Sequence, residues 1–149
     1  MVYLIAMQSK DPCTKVGAVI VGTDNEVRST GYNGLPRGCV DDNPNRDTRP
    51  EKYYWYEHAE RNAIYNAARM GLSVKGCTLY TQGIPCADCA RAVIQSGITE
   101  VITHAEWNAN SPPKWEESAK RSLEMFEETG VNLLEWHGNL LEIERFQRW

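Results

Sequence analysis

Two short motifs constrain the fold of this chain more than any other feature of its sequence. They are His58-Ala59-Glu60 and Pro85-Cys86-Ala87-Asp88-Cys89. His58, Cys86 and Cys89 fill three corners of a tetrahedral Zn²⁺ site, and three protein ligands with one open position are typical of a catalytic zinc. Glu60 is then a spare carboxylate that serves as general acid and base beside the metal. Any fold of this chain must therefore bring the two motifs together.

The second motif has the pattern of a helix start. Cys86 and Cys89 are three residues apart, so their thiols face the same way on a helix. Pro85 suits the first helical position, because the N–H that proline lacks has no partner within the helix there. Thiolates at a helix N-terminus are stabilised by the helix dipole, which lowers their pKa. A redox pair or half of a structural zinc site would also contain Cys-x-x-Cys, but neither needs Glu60 or Pro85.

The first motif is expected at the very start of another helix. His58 and Glu60 are two residues apart and would not share a face within a helix. We therefore expect a helix from His58 to about Arg69, with Glu60 reaching back over its N-terminal end. Ala59 is small and leaves that end open, so that free backbone N–H groups can hold a carbonyl group of a ligand.

Length and charge narrow the class of protein. A chain of 149 residues is expected to form one domain, residues 1–149, around a single core. No apolar run approaches the roughly 18–20 residues that span a membrane, and no signal peptide is evident. The net charge of −4 argues against binding to nucleic-acid polymers, which requires a basic surface. The five cysteines show no disulfide-scaffold pattern, which favours a reducing, cytoplasmic compartment.

Hydrophobic patterning predicts strands that alternate with helices after an initial hairpin. This order indicates an α/β fold, a three-layer α/β/α sandwich around a mixed, roughly five-stranded sheet. A long loop, residues 32–57, precedes the first motif, and loops of this length in compact domains are usually functional or disordered. The predicted strands are 16–21, 26–31, 77–81, 100–103 and 131–136, and the predicted helices are 58–69, 85–96 and 113–129.

Further motifs extend over residues 9 to about 103, roughly two-thirds of the chain. They include Ser9-Lys10-Asp11-Pro12, Gly31-Tyr32-Asn33-Gly34, Asn62-Ala63-Ile64, Cys89-Ala90 and Gln95-Ser96-Gly97-Ile98. With the two motifs above, they resemble the zinc-dependent cytidine and deoxycytidylate (dCMP) deaminases, whose signature is His-x-Glu followed by Pro-Cys-x-x-Cys. The resemblance implies a cytidine deaminase-like fold and the hydrolysis of dCMP to dUMP and ammonia, which supplies pyrimidine deoxynucleotides. Residues 107–149 match only loosely.

The resemblance also implies roles for individual residues around the zinc. Glu60 moves protons between the attacking water and the pyrimidine ring. Asn33 contacts the sugar or base through its amide, although Asn-Gly is also a common turn sequence. Trp107 either stacks on the substrate or fills the core. The open helix end at Ala59 completes the expected substrate site.

Members of this family are commonly homohexamers that dCTP activates and dTTP inhibits through a separate site. The resemblance places part of that site in the loop 31–42, where an acidic pair could reach a triphosphate through Mg²⁺. A solvent-exposed acidic loop is the plain alternative. The residues assigned to this site are Gly34, Gly38, Cys39, Asp41 and Asp42, and the candidate cations for the 5′-phosphate are Lys10, Lys15, Arg37, Arg46 and Arg49.

Two alternatives stay open at this point. Another deaminase of the same fold would act on dCTP, cytidine, guanine or tRNA adenosine, although the acidic balance disfavours tRNA. A non-catalytic zinc domain would bind a nucleotide or a partner chain, but it has no need for Glu60 beside an open metal position. The sequence does not fix the source organism. If the protein is viral, we expect it to act in the host cytoplasm.

Overall fold

A mixed five-stranded sheet runs through the centre of the computed structural model, which describes residues 1–140. Its strands are β1 (Gly17–Val21), β2 (Val27–Tyr32), β3 (Thr78–Thr81), β4 (Glu100–His104) and β5 (Asn132–Trp136). They lie in the order β2-β1-β3-β4-β5, with β1 antiparallel to β2 and β3, and with β3, β4 and β5 parallel. The predicted mixed sheet is therefore confirmed. The predicted domain of residues 1–149 extends beyond the described residues.

Helices cover both faces of this sheet. They are α1 (Val2–Ala6), α2 (Lys52–Trp55), α3 (Ala59–Arg69), α4 (Ala87–Gln95), α5 (Ala105–Ala109) and α6 (Glu116–Thr129), with 3₁₀ turns at Pro44–Arg46 and Pro113–Trp115. Gly17 pairs with Tyr32 and Gly31 pairs with Ala18, so that the two glycines face opposite sides of the sheet. A Cβ atom on Gly17 would collide with the backbone of α1, and one on Gly31 would collide with the backbone of α3. The two helices thus lie on opposite faces, which gives the predicted three layers.

The core lies between the sheet and the two helices α3 and α4, which cover one face of the sheet. Large apolar side chains come from the central strands and from α6, whereas α3 and α4 contribute mainly small ones. Alanines on α3 and α4 let these helices approach the sheet and each other closely. The buried side chains are Ile20, Leu79, Val101 and Phe126, with Ala59, Ala63, Ala67 and Ala90 from the helices.

Several element boundaries differ from the sequence prediction. The segment 32–57 is not a plain loop, because it contains a 3₁₀ turn and the short helix α2. The predicted helix 113–129 begins as a 3₁₀ turn and becomes α-helical at Glu116, and α5 was not predicted. Pro85 does not take the first helical position: Cys86, with an extended ψ of 166°, is the N-cap, and α4 begins at Ala87. The helix start is thus shifted by the extended backbone of the cysteine itself.

Candidate active site

The N-termini of α3 and α4 meet and bring the two sequence motifs together. His58 is the N-cap of α3, Cys86 is the N-cap of α4, and Cys89 lies in the first turn of α4. His58 Nδ1 lies 3.4 Å from the sulfur of Cys86 and 3.5 Å from that of Cys89. The prediction that each motif begins a helix is therefore confirmed, and the long-range contact follows from the packing of α3 against α4.

The geometry of this cluster fits a zinc ion. The three ligand atoms all lie within 4.8 Å of one another. Zinc bonds of about 2.0–2.1 Å to nitrogen and 2.3 Å to sulfur, at a tetrahedral angle, separate the two atoms by about 3.6 Å. The nitrogen–sulfur distances of 3.4 and 3.5 Å are close to this value. His58, Cys86 and Cys89 would therefore hold Zn²⁺ and leave its fourth position to a small ligand.

Glu60 lies next to this cluster without being part of it. Its side chain is buried, and its Oε2 lies 3.6 Å from the sulfur of Cys89. Burial, which disfavours the charged carboxylate, raises the pKa of Glu60, and the nearby His58 opposes this effect. A carboxyl group with a raised pKa beside a metal position is suited to accept and return a proton.

Hydrogen bonds among His58, Cys86 and Cys89 shift the pKa of each group and so set its charge. Considering only the protein's own groups, the hydrogen bonds from Cys89 and then from His58 lower the pKa of Cys86 to about 4. The hydrogen bond to Cys86 raises the pKa of His58 to about 9. Hydrogen bonding to Cys86 and burial raise the pKa of Cys89. The protein groups alone thus hold one thiolate, one imidazolium and one thiol, and the positive ring balances the negative sulfur.

A cleft of about 1040 Å³ opens over this cluster. His58, Glu60 and Cys86 lie in its lining, together with the aromatic side chains of Trp107 and Trp115. The Trp115 ring stands edge-on to the His58 ring, with 6.0 Å between centroids and 78° between planes. The sequence predicted only that Trp115 lies within the helix 113–129, and nothing in that local pattern indicated its contact with His58.

Asn33 lines the same cleft but is already held by the protein. Its Oδ1 accepts a hydrogen bond from the N–H of Val16 at 2.8 Å. Its Nδ2 donates to Asp11 at 2.9 Å and to the carbonyl of Thr14 at 2.8 Å. Both amide protons are therefore used, and one lone pair of Oδ1 remains for a ligand hydroxyl group. The structure adds a scaffolding role to the predicted substrate contact.

A buried ion pair supports Asn33 from behind. The ammonium of Lys52 lies 2.6 Å from the carboxylate of Asp11. This pair joins α2 to the segment before β1, so three distant parts of the chain meet beside the cleft. The sequence indicated Asp11 only as part of a motif and gave no sign of Lys52, because nothing in the local pattern shows that these two residues pair.

Ala59 and Trp107 lie on two sides of the cleft. Ala59 is fully buried and is the first residue of α3, where backbone N–H groups have no partner within the helix. Trp107, on α5, lies against Gly83 and makes an edge contact with Tyr3 at 6.2 Å between centroids. Both residues line the cleft, and their contact with a substrate stays a prediction; Trp107 is also packed against its neighbours.

The predicted regulatory residues lie elsewhere. Gly34 forms a backbone bridge with Glu57, and Asp41 forms an exposed ion pair with Lys10 at 2.5 Å. Among the described residues, the cleft lining includes none of the assigned positions, which are Gly34, Gly38, Cys39, Asp41 and Asp42. They belong to the surface segment between β2 and α2, so any ligand they bind is separate from the cleft.

Comparison with known proteins settles the family. The family model of the cytidine and deoxycytidylate deaminase zinc-binding region matches residues 1–105. The chain belongs to this family. Its zinc-binding region contains the whole His58, Cys86 and Cys89 cluster, which agrees with the geometric fit to Zn²⁺. Within residues 1–140, no helix has the length and apolar character needed to cross a bilayer.

Two curated relatives show how far the family likeness extends. The chain is 48% identical to deoxycytidylate deaminase of Mus musculus over 105 residues, which are 67% of this chain and 58% of the relative. It is 31% identical to deoxycytidylate deaminase of Enterobacteria phage T4 over 176 aligned positions, which cover 90% of both chains. The chain thus spans less than two thirds of the mammalian relative but nearly all of the phage one.

A solved structure confirms the cytidine deaminase-like fold. The dCMP deaminase of cyanophage S-TIM5, crystallised with dCMP and dUMP, superposes with a TM-score of 0.71. The alignment covers 91% of this chain and 90% of the other at 24% identity. The shared fold therefore extends over about nine tenths of both chains.

Proposed function

We propose that the protein catalyses the hydrolytic deamination of dCMP to dUMP and ammonia. One observation carries the proposal: a buried carboxylate, Glu60, lies beside a three-ligand zinc cluster that opens into a cleft. A structural zinc site is closed by four protein ligands and has no use for a further acid. The choice of dCMP rests on the 48% identity to a deoxycytidylate deaminase across the segment that contains the cluster.

The chemistry divides between the metal and Glu60. His58, Cys86 and Cys89 would hold a Zn²⁺ ion, which would lower the pKa of a water molecule to about 7 and so make a nucleophile available at neutral pH. Glu60 takes a proton from the water that attacks C4 of the cytosine ring and delivers it to N3. The same carboxylate then takes the second proton of that water, from the hydroxyl group now on C4, and passes it to the amino group, which leaves as ammonia while C4 becomes a carbonyl. Burial of Glu60, which disfavours its charged form, favours this return of the proton.

Residues of the cleft orient the nucleotide for this reaction. Backbone N–H groups at the start of α3, near Ala59, bind the carbonyl of the base. The free lone pair of Asn33 accepts a hydrogen bond from the sugar hydroxyl. The indoles of Trp107 and Trp115 provide flat apolar surfaces against which a ring packs.

Regulation by dCTP as activator and dTTP as inhibitor forms a further part of the proposal. The loop that contains Gly38 and Asp41 lies outside the cleft, so a second nucleotide with Mg²⁺ could bind there without displacing the substrate, and Asp41 would then exchange Lys10 for the metal ion. By family resemblance, the proposal also includes assembly of the protein into a homohexamer and its location in the cytoplasm. The five free cysteines support a reducing compartment.

The direct test follows ammonia release by the zinc-loaded protein with dCMP, deoxycytidine, cytidine, dCTP and guanine as substrates. The proposal requires the highest kcat/KM for dCMP. Addition of dCTP with Mg²⁺ should raise the rate at low dCMP, and dTTP should suppress it. Preferred turnover of another substrate refutes the assignment to dCMP, and retained zinc without turnover of any of them refutes catalysis.

A further inference from the structure

Two cations flank one tyrosine ring at the mouth of the cleft. The guanidinium carbon of Arg49 lies 5.8 Å from the centroid of Tyr53, and the ammonium of Lys114 lies 5.9 Å from it. Lys114 also donates a hydrogen bond to the Tyr53 hydroxyl at 3.3 Å. The three side chains are exposed and line the cleft. They bring the 32–57 segment and the 3₁₀ turn before α6 together on one positive edge.

This edge is continuous with the zinc ligands. The ammonium of Lys114 lies 5.2 Å from the centroid of the Trp115 ring. The same ring stands 6.0 Å from the ring of His58. A ligand whose reactive ring lies at the cluster therefore passes Trp115 before it reaches the two cations.

Neither cation is neutralised by the protein. Within residues 1–140, no carboxylate lies within 4.0 Å of Arg49 or Lys114, although Glu116 also lines the cleft. Two other cations line the cleft: Lys52, which is paired with Asp11, and Lys120 on α6. An anion bound beside this ring would therefore meet two cations that no carboxylate of residues 1–140 neutralises.

The remaining sequence candidates for a phosphate contact lie outside the cleft. Lys10 pairs with Asp41, and the guanidinium of Arg37 donates to Asn66. Arg46 lies over the ring of Trp55 at 3.8 Å and donates to the carbonyl of Val40. Of the five candidates, which also include Lys15, only Arg49 is in the cleft lining of the described residues.

We propose that Arg49 and Lys114, both held beside Tyr53, bind the 5′-phosphate of the substrate and make the site select nucleotides over nucleosides. A guanidinium offers two parallel donors to a phosphate, and an ammonium adds a point charge. Tyr53 positions both groups through its ring and hydroxyl. The inference rests on the proposed function only for the identity of the base.

The experiment compares the binding of dUMP with that of deoxyuridine, which lacks the phosphate. Calorimetry uses the zinc-loaded protein, R49Q, K114Q and the double variant R49Q/K114Q. Each single change should weaken dUMP binding about tenfold, the lower end for a hydrogen bond to a charged group, because the site is exposed. Binding of deoxyuridine should stay constant.

Controls separate a local effect from a general change of charge or fold. R69Q and K75Q remove exposed cations of the same types outside the cleft and should leave dUMP binding unchanged. K114R retains the charge and should keep most of the affinity that K114Q loses. Zinc content and the thermal unfolding midpoint confirm that each variant is folded.

Two results would overturn the assignment of the 5′-phosphate to Arg49 and Lys114. They are equal losses for dUMP and deoxyuridine, or a double variant that binds dUMP as tightly as the wild type. The latter result, in a protein that deaminates dCMP, leaves the proposed function intact. Conversely, preferred and cation-dependent binding of dUMP without any dCMP turnover supports the subsite and refutes the proposed function.

Discussion

Lys52 neutralises the carboxylate of Asp11, which is buried beside the cleft. The side chain of Asp11 is 2% exposed, that of Lys52 is 11% exposed, and the two charges lie 2.6 Å apart. Replacing Lys52 by Met keeps an unbranched stem of similar length but leaves Asp11 without its cation. Loss of one partner of a buried ion pair costs about 3–5 kcal/mol, because an uncompensated charge remains inside the protein.

Hydrogen bonds that remain in K52M reduce this cost. Asp11 still accepts from the N–H groups of Cys13 and Thr14, at 2.8 and 3.1 Å, and from the amide of Asn33 at 2.9 Å. We therefore expect a loss of about 3 kcal/mol, at the lower end of that range. For a chain of this size, such a loss lowers Tm by roughly 6–12 °C.

The assay is urea unfolding of the zinc-loaded protein, followed by circular dichroism, with Tm as a second readout. K75M removes an exposed lysine and should change the free energy of unfolding by less than about 0.5 kcal/mol. The double variant D11N/K52M should recover part of the loss, because a neutral amide replaces the buried charge. A loss below about 1 kcal/mol in K52M, or no recovery in the double variant, would refute the reasoning.

The remaining predictions concern the metal cluster. E60Q should retain zinc but lower kcat on dCMP by about 10²–10⁴, the contribution of a general acid–base group; near-normal kcat would contradict the role of Glu60. C86A should lose most of its zinc by elemental analysis, since two ligands remain, and full zinc content would argue against the cluster. Before zinc binds, Cys86 is a thiolate at pH 7, because its pKa is lowered to about 4. His58 and Cys89 carry protons, because the pKa of His58 is raised to about 9 and the pKa of Cys89 is also raised. Zinc binds the deprotonated forms, so uptake at pH 7 should release two protons from His58 and Cys89 and a fraction of one from the bound water, and affinity should rise with pH. Calorimetry in buffers of different ionisation enthalpy that finds fewer than one proton would exclude this charge distribution.

Local patterns were sufficient to predict the sheet, the three main helices and the zinc ligands. Alternating and buried apolar runs indicate strands because side chains point to opposite faces with period two. The two motifs mark helix starts, because helix ends have specific requirements for free N–H groups and nearby charge. The position of Pro85 was wrong by two residues, since the choice of N-cap depends on backbone torsions that no local pattern fixes.

The sequence by itself determined the chemistry of the site: an imidazole, two thiols and a carboxylate, each near the start of a helix. Residue type and short-range spacing are properties of the chain, so they can be read without the fold. Only the tertiary structure decided that Trp115 lies at His58, that Lys52 pairs with Asp11, and that Arg49 and Lys114 share one ring. These contacts join segments 41 to 65 positions apart in the chain, and their pairing follows from how helices pack around the common sheet.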